Sequence, residues 1–386
     1  MTIRSVEAVA FHAERDLSPG TGTAGSPAPL RASHSHYRWA QTYPVLYSTR
    51  FETALVRITL EDGTYGWGEA QAPVAPEVAC TIIERILKPV LEGAAFDGSA
   101  GAIESLWWTM YSTMRVRGQT GGFMLDAIAG VDIALWDLAG KLAGLSVGEL
   151  LGSTITRVPA YLSGLPADNA ENVKGWRDQG FDTVKVFFQS PQEDVLLRNC
   201  DRVKQILGPQ GRVAVDALWR LTPESARYLA PELEHREVMF LESPLAPESA
   251  LLHGALARDI RTPLALGESY RTVFELEPFF GAFAMKTVQP DLGRTGITEG
   301  LRIVAAARQH GVSVIPHVSI AMGPQLAAAI HFAAATGCQL LEFNPSVVTM
   351  ANRYLRQAIQ VKDGCYLVPE GPGLGIDLHG FAGQQN

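Results

Sequence analysis

Cysteine is scarce in this sequence. Cys80, Cys200, Cys338 and Cys365 are the only four, and they lie far apart with no CxxC pair. That spacing excludes a disulfide framework and a cysteine-type zinc site, and leaves packing residues of a reducing compartment. Positive charge is also in deficit: 32 Lys and Arg stand against 40 Asp and Glu, a net charge of −8. Neither nucleic acid nor an anionic membrane is the expected main partner of such a chain. Long apolar runs are missing. The opening "MTIRSVEAVAFHAERD" has no core of signal-peptide length, and the stretch from Leu326 to Ala335 is too short for a bilayer and contains His331. No GxGxxG or GxxxxGK[ST] run follows any of the strand-like segments below, so nucleotide binding through such loops has little support. With 47% hydrophobic and 19% charged residues the chain is globular, and a soluble cytoplasmic protein is the expectation.

The 386 residues that are present suffice for one large domain or two ordinary ones. "ETALVRITLEDGTYGWGEA" predicts a β-hairpin turning at Asp62-Gly63. The Gly-, Pro- and Ser-rich segment before it predicts a loop. Helical patterning follows and ends in "LDAIAGVDIALWDLAGKLAG", with Gly144 as a C-cap signal. From about Thr156 short apolar strands alternate with helix-like stretches: "RVPAYLSG", "TVKVFF", "RVAVDAL", "MFLESP", "LALGES", "TVQPD", "VSVIPHV" and "LLEFNP". Thr222-Pro223-Glu224 is a helix start, and a run from Ile297 to His310 stops at Gly311. Strands joined by helical crossovers pair in parallel, and closure into a β/α barrel is the natural solution, with a doubly wound open sheet as the alternative.

Six of these strands end in a polar residue that a buried strand does not otherwise need. Asp216, Glu242, Glu268, Asp291, His317 and Glu342 follow one another at steps of 26, 26, 23, 26 and 25 residues, about one βα unit each. A single carboxylate at a strand end most often caps the next helix. Six in register fit that explanation poorly, because strand C-termini in a barrel converge on one face. Three acids close together cannot all stay ionised without a cation. Carboxylate oxygens from Asp216, Glu242 and Glu268 suit a hard divalent ion, with Mg²⁺ the first choice. An Asp on one nitrogen of His317 would fix its tautomer and raise the basicity of the other, as general-base catalysis requires. Glu342, if protonated, could donate to an oxyanion.

Taken together, "DGTYGWGEA", "AGVDIALWDLAGK", the three acids, "VQPDLGRTGITEG", "VIPHV" and "PEGPGLGID" resemble the enolase superfamily in its mandelate racemase subgroup. The resemblance implies a (β/α)7β barrel over residues 131–364. It also implies an α+β capping domain over residues 1–130, completed by a C-terminal tail at 365–386. It implies Mg²⁺ on Asp216, Glu242 and Glu268, a small-molecule carboxylate substrate, and α-proton removal to an enediolate; the superfamily's pairing of Lys or His bases with Mg²⁺ is general knowledge. By position Asp291 and His317 match the subgroup's dyad, Glu342 its electrophilic acid, and Lys185 the first Lys of a Lys-x-Lys pair. A homo-oligomer is implied as well.

One departure narrows the expected reaction. The second Lys of that pair is replaced by Phe187, and Leu218 stands where some dehydratases of the subgroup carry a His. His317 is left as the one obvious acid/base. Racemisation needs a base on each face of the substrate, whereas β-elimination can be run by one. Dehydration of an aldonate or aldarate to a 2-keto-3-deoxy acid is therefore the expected activity. Lactone cycloisomerisation or epimerisation is the runner-up, and a metal-binding protein without turnover is the alternative from another class. His34, His36, Tyr37, Arg115 and Arg117 are candidates for contacts to hydroxyls and a distal group.

Overall fold

The computed structural model describes residues 1–14, 28–29, 36–39, 45–165, 170–189 and 192–379. His34 and the last residues of the expected C-terminal tail lie outside this set, as does most of the loop before the hairpin.

The predicted hairpin is present as antiparallel strands Arg50–Leu60 and Tyr65–Ala70, with Ile3–Glu14 on the other side of the first. Gly63 takes the left-handed conformation the turn needs (φ 91°). A long helix, Phe123–Ala143, lies across this sheet and is buried along nearly its whole length. Its close approach depends on missing side chains: a Cβ on Gly66 or Gly68 would overlap the carbonyl oxygens of Ala134 and Gly130. The helix ends at Gly144 in the left-handed conformation. It runs unbroken through residue 130, so the expected 130/131 division falls inside it.

The same helix carries buried acids that stitch three regions together. Asp137 accepts from the Trp67 amide at 2.7 Å, the Leu374 amide at 2.8 Å and the Lys141 ammonium at 2.7 Å. Asp132 accepts from the amides of Ile297 and Thr298. Those two amides open a new helical stretch after a break at Gly296 (φ 67°, ψ −178°) within Leu292–Gln309. The sequence pattern therefore starts that helix at Ile297, while the backbone is already helical from Leu292.

Beyond the cap, eight strands follow in chain order: Arg157–Leu162, Thr183–Phe187, Arg212–Asp216, Leu241–Glu242, Leu264–Leu266, Thr287–Val288, Ser313–Val314 and Leu341–Phe343. The first seven pair in parallel with their sequence neighbours, and the eighth pairs in parallel with the first, which brings the ends of the series together. Seven helices fill the connections among the described residues. This is a (β/α)7β barrel, with the three-stranded cap packed on it, and the open-sheet alternative does not apply. Cys365–Leu367 adds antiparallel to the first barrel strand, while Asp377 further along accepts from Tyr65 and Trp67 of the cap. The four cysteines are free thiols. Among the described residues no helix is long and apolar enough to cross a membrane.

Candidate active site

Alternation along the second barrel strand decides where Lys185 points. In a parallel barrel every other side chain faces inward, and Lys185 is 2% exposed. Its ammonium reaches Glu242 at 2.8 Å, Glu342 at 2.9 Å and Asp216 at 3.5 Å. Burial alone would lower its pKa, but Glu242 and Glu342 outweigh that and hold it well above the usual value, so it is charged. Phe187, two residues on, shares its face, and the ammonium lies 5.2 Å from the ring centroid.

His317 is the second hub. Its Nδ1 bonds to Asp291 Oδ2 at 2.8 Å, and its Nε2 faces Glu268 at 3.2 Å and Glu342 at 3.7 Å. Burial pulls the imidazole pKa down, but Glu342, Glu268 and Asp291 push it up to about 10. Glu342 thus touches both hubs, and it also accepts from the Val318 amide at 3.2 Å. Burial would raise its pKa, yet Lys185 and His317 bring it below the ordinary carboxylate range. A protonated Glu342, as an electrophilic acid requires, is not the form this arrangement favours. The seven residues singled out from the sequence form one continuous chain of contacts.

Local backbone geometry aims the acids. Leu218 (φ 54°), Trp219 (φ 53°) and Ser243 (φ 43°) are left-handed although none is glycine, a conformation that costs about 1–2 kcal/mol each. They turn the chain sharply just past Asp216 and Glu242. The turn places the Leu218 amide on Asp216 Oδ1 at 2.9 Å and the Trp219 amide on the Ser243 carbonyl at 2.7 Å. Before Glu268, Gly267 (φ 148°) allows the fifth strand to touch the Gln289 backbone, which a Cβ would block. Asp291 does what a lone strand-end acid usually does, capping the next helix through the Gly293 amide with Oδ1, while Oδ2 takes His317.

The donor set fits a divalent cation. Glu242 is fully buried, and burial, with Asp216 and Glu268 adding to it against Lys185, pushes its pKa up to about 8. Burial likewise raises Asp216 to about 6. Five carboxylates face one ammonium and one imidazole here, a surplus of negative charge that a cation would offset. The ligand atoms that converge most closely belong to Glu242, Glu268 and His317, all within 4.8 Å of one another. Asp216, the third expected ligand, is turned toward Lys185 and the Leu218 amide instead.

Three further residues build the site without having been singled out. Gln289 donates to Glu242 Oε2 at 2.9 Å, Ser243 to Glu268 at 2.8 Å, and Gln325 to Asp291 Oδ1 at 2.9 Å. Gln289 had a signal: it precedes Asp291 by two in "TVQPD", so it shares that residue's face. Two of the suggested cap contacts have partners within the chain. Tyr37 donates to Glu52 and accepts from the Ala75 amide, and Arg115 lies over the Tyr111 ring. His36 and Arg117 are exposed.

Comparison with known proteins gives a consistent family. Residues 37–152 match the model of the mandelate racemase / muconate lactonizing enzyme N-terminal domain, and residues 168–382 match that of the enolase C-terminal domain-like family. D-galactarolactone cycloisomerase of Agrobacterium fabrum is 31% identical, over 86% of this chain and 91% of its own length. Arabinonate dehydratase of Saccharolobus solfataricus is 30% identical, over 85% of this chain and 88% of its own. The crystal structure of an enolase superfamily member from Agrobacterium tumefaciens superposes with a TM-score of 0.91 at 33% identity, covering 99% of this chain and 97% of that one.

Proposed function

Since the chain belongs to the mandelate racemase / muconate lactonizing enzyme family of the enolase superfamily, we propose that it is a Mg²⁺-dependent acid-sugar dehydratase. It removes the α-proton of an aldonate or aldarate from one face and expels the β-hydroxyl. The observation that carries this reading is the pairing of a buried Asp291–His317 dyad with Phe187, a side chain unable to accept a proton, on the strand where a second base would stand.

Glu242 and Glu268 are the residues that would hold the ion, joined by Asp216 if its carboxylate turned from Lys185 toward them. When bound, a divalent ion supplies positive charge that offsets these acids and stabilises charge growing on the oxygens of a substrate carboxylate. The rest is done by the chain's own groups. Lys185, kept as an ammonium, donates to the same carboxylate and lowers the cost of the enediolate. Glu342 and Glu242 hold that ammonium in place. His317, with Nδ1–H committed to Asp291, takes the α-proton on Nε2 in its neutral form, which a cation offsetting the Glu268 charge that now holds the imidazole protonated would favour. The C2–H pair becomes the C2=C3 double bond as the C3–O bond breaks, and the proton on Nε2 passes to the departing hydroxyl, giving water. The enol then tautomerises to the 2-keto acid, and C3 gains a proton from solvent.

Cycloisomerisation is the second reading, favoured by the cycloisomerase among the relatives. Its opening step is chemically the same. If the β-oxygen belongs to a lactone ring it stays tethered as a carboxylate, so the net change is isomerisation instead of loss of water. The test is a library of acid sugars and their lactones incubated with Mg²⁺ and read by a keto-acid assay and proton NMR. A keto-deoxy product from an open-chain acid supports dehydration, one from lactones alone supports cycloisomerisation, and an inverted acid sugar without keto acid refutes both.

A further inference from the structure

A fully buried acid of the cap reaches the loop that carries the proposed base. Glu69, near the end of the cap strand Tyr65–Ala70, has no exposed surface. Its two oxygens accept from the amides of Met322 at 2.6 Å and Gln325 at 3.1 Å. The Gln325 amide belongs to the first turn of the helix Pro324–Thr336, just downstream of His317, where N–H groups have no partner within the helix, and the Met322 amide lies two residues before that helix begins. An acid from another domain therefore caps this helix and fixes where it starts.

That first turn also supplies the donor to the dyad. Gln325 Nε2 donates to Asp291 Oδ1 at 2.9 Å, beside the Gly293 amide on the same oxygen. The Gly293 carbonyl in turn accepts from the Gln71 amide at 2.8 Å. The end of one cap strand thus grips both loops, through Glu69 on the His317 side and Gln71 on the Asp291 side. Two donors on Oδ1 stop the carboxylate from swinging about its terminal torsion, and Oδ2 is left to His317.

The chemistry of Gln325 shows that this donation has a purpose beyond packing. Its Oε1 is buried with no hydrogen-bond partner among the described residues, which costs about 1–3 kcal/mol. An apolar side chain of similar size would avoid that cost. A Cβ on residue 293 would overlap the Gln325 amide, so Gly293 leaves the space the amide occupies.

We propose that Glu69 and Gln325 are positioning residues for the reaction: the cap sets the orientation of the Asp291–His317 dyad through Glu69, the first turn of Pro324–Thr336 and the Gln325 amide. The proposal rests on His317 being the base.

The test uses the full chain with Mg²⁺ and the acid sugar identified in the library screen. Gln325→Leu should lower kcat about 10- to 100-fold, the range typical of residues that orient a site's working groups, with KM within about 3-fold and Tm nearly unchanged. Glu69→Gln should shift kcat in the same direction. The double variant should lose less than the product of the two effects, because both act on one carboxylate. In ¹⁵N-histidine-labelled protein the His317 Nδ1 resonance, assigned by its disappearance in His317→Asn, should move in both variants. A purely structural role would move Tm but neither that resonance nor kcat alone. Unchanged kcat, an effect confined to KM, a multiplicative double variant or an unmoved resonance would each overturn the proposal. If Glu69→Gln does not fold, Gln325→Met and Gln325→Leu decide it from the barrel side. Retained turnover in His317→Asn would remove the base assignment and this proposal with it. An inactive His317→Asn beside a fully active Gln325→Leu would refute the positioning role alone.

Discussion

His331 is a buried imidazole whose protonation should weaken the fold between pH 6.5 and 4. It sits in the helix Pro324–Thr336 with no exposed surface. Nδ1 accepts from the Gly148 amide at 3.2 Å and Nε2–H donates to the Leu374 carbonyl at 3.1 Å. The Gly148 bond requires the neutral ring, since a proton on Nδ1 would face another N–H, whereas the donation from Nε2–H survives protonation. Burial brings its pKa down to about 4, against 6.5 for a free imidazole, although the Leu374 bond works the other way. The unfolded chain thus takes up a proton near pH 6.5 while the folded chain resists until about pH 4. Stability falls as pH drops through that window, and the loss is complete only below the folded value. The gap is worth about 3 kcal/mol at 1.36 kcal/mol per pH unit. At roughly 2.1 cal/mol/K per residue the unfolding entropy of this chain is about 0.8 kcal/mol/K, so the loss corresponds to about 4 °C in Tm. His331→Gln keeps an acceptor and a donor but does not titrate. Thermal unfolding at a fixed scan rate from pH 7.5 to 4 should show the wild type losing about 4 °C more than the variant. Parallel curves would refute the reasoning, because the other titrating groups are common to both.

Other outcomes follow from the site and its supports. Phe187→Lys places an amine on the second face, and hydrogen–deuterium exchange of the substrate α-proton with partial inversion should appear by NMR where the wild type shows none. Glu242→Gln removes a charged donor from the acid cluster, and Mg²⁺ affinity by calorimetry should fall more than about 100-fold, given that even outer partners of metal sites are worth about 10- to 100-fold. Gly68→Ala drives a methyl group into the Gly130 carbonyl, which should cost at least about 1–3 kcal/mol and show as a lower Tm or loss of soluble protein.

Much of the architecture was legible because it rests on periodicities. Alternation along "TVKVFF" puts Lys185 and Phe187 on one face, and polar strand ends at steps of 23 to 26 residues mark consecutive βα units. Residues whose role depends on distant partners were not legible. Glu69 reads as the end of a hairpin strand, yet its partners Met322 and Gln325 lie 253 and 256 positions away. Gln325 follows a proline at a helix start, and nothing local says that its amide faces Asp291. Leu218 drew notice for the side chain it lacks, whereas its part in the structure is a left-handed backbone that directs its amide onto Asp216. The state of Glu342 was also hidden, because it depends on Lys185 and His317 both lying against it.

The central claim is that one base, His317, works on one face and that cleavage of the β C–O bond follows. Turnover of the identified acid sugar in D₂O with Mg²⁺, followed by NMR, tests it most directly. The account predicts solvent deuterium at C3 of the keto-acid product, no deuterium at C2 of recovered substrate with inverted configuration, and neither signal in His317→Asn. Deuterium at C2 of an inverted substrate, or undiminished turnover in His317→Asn, would contradict it.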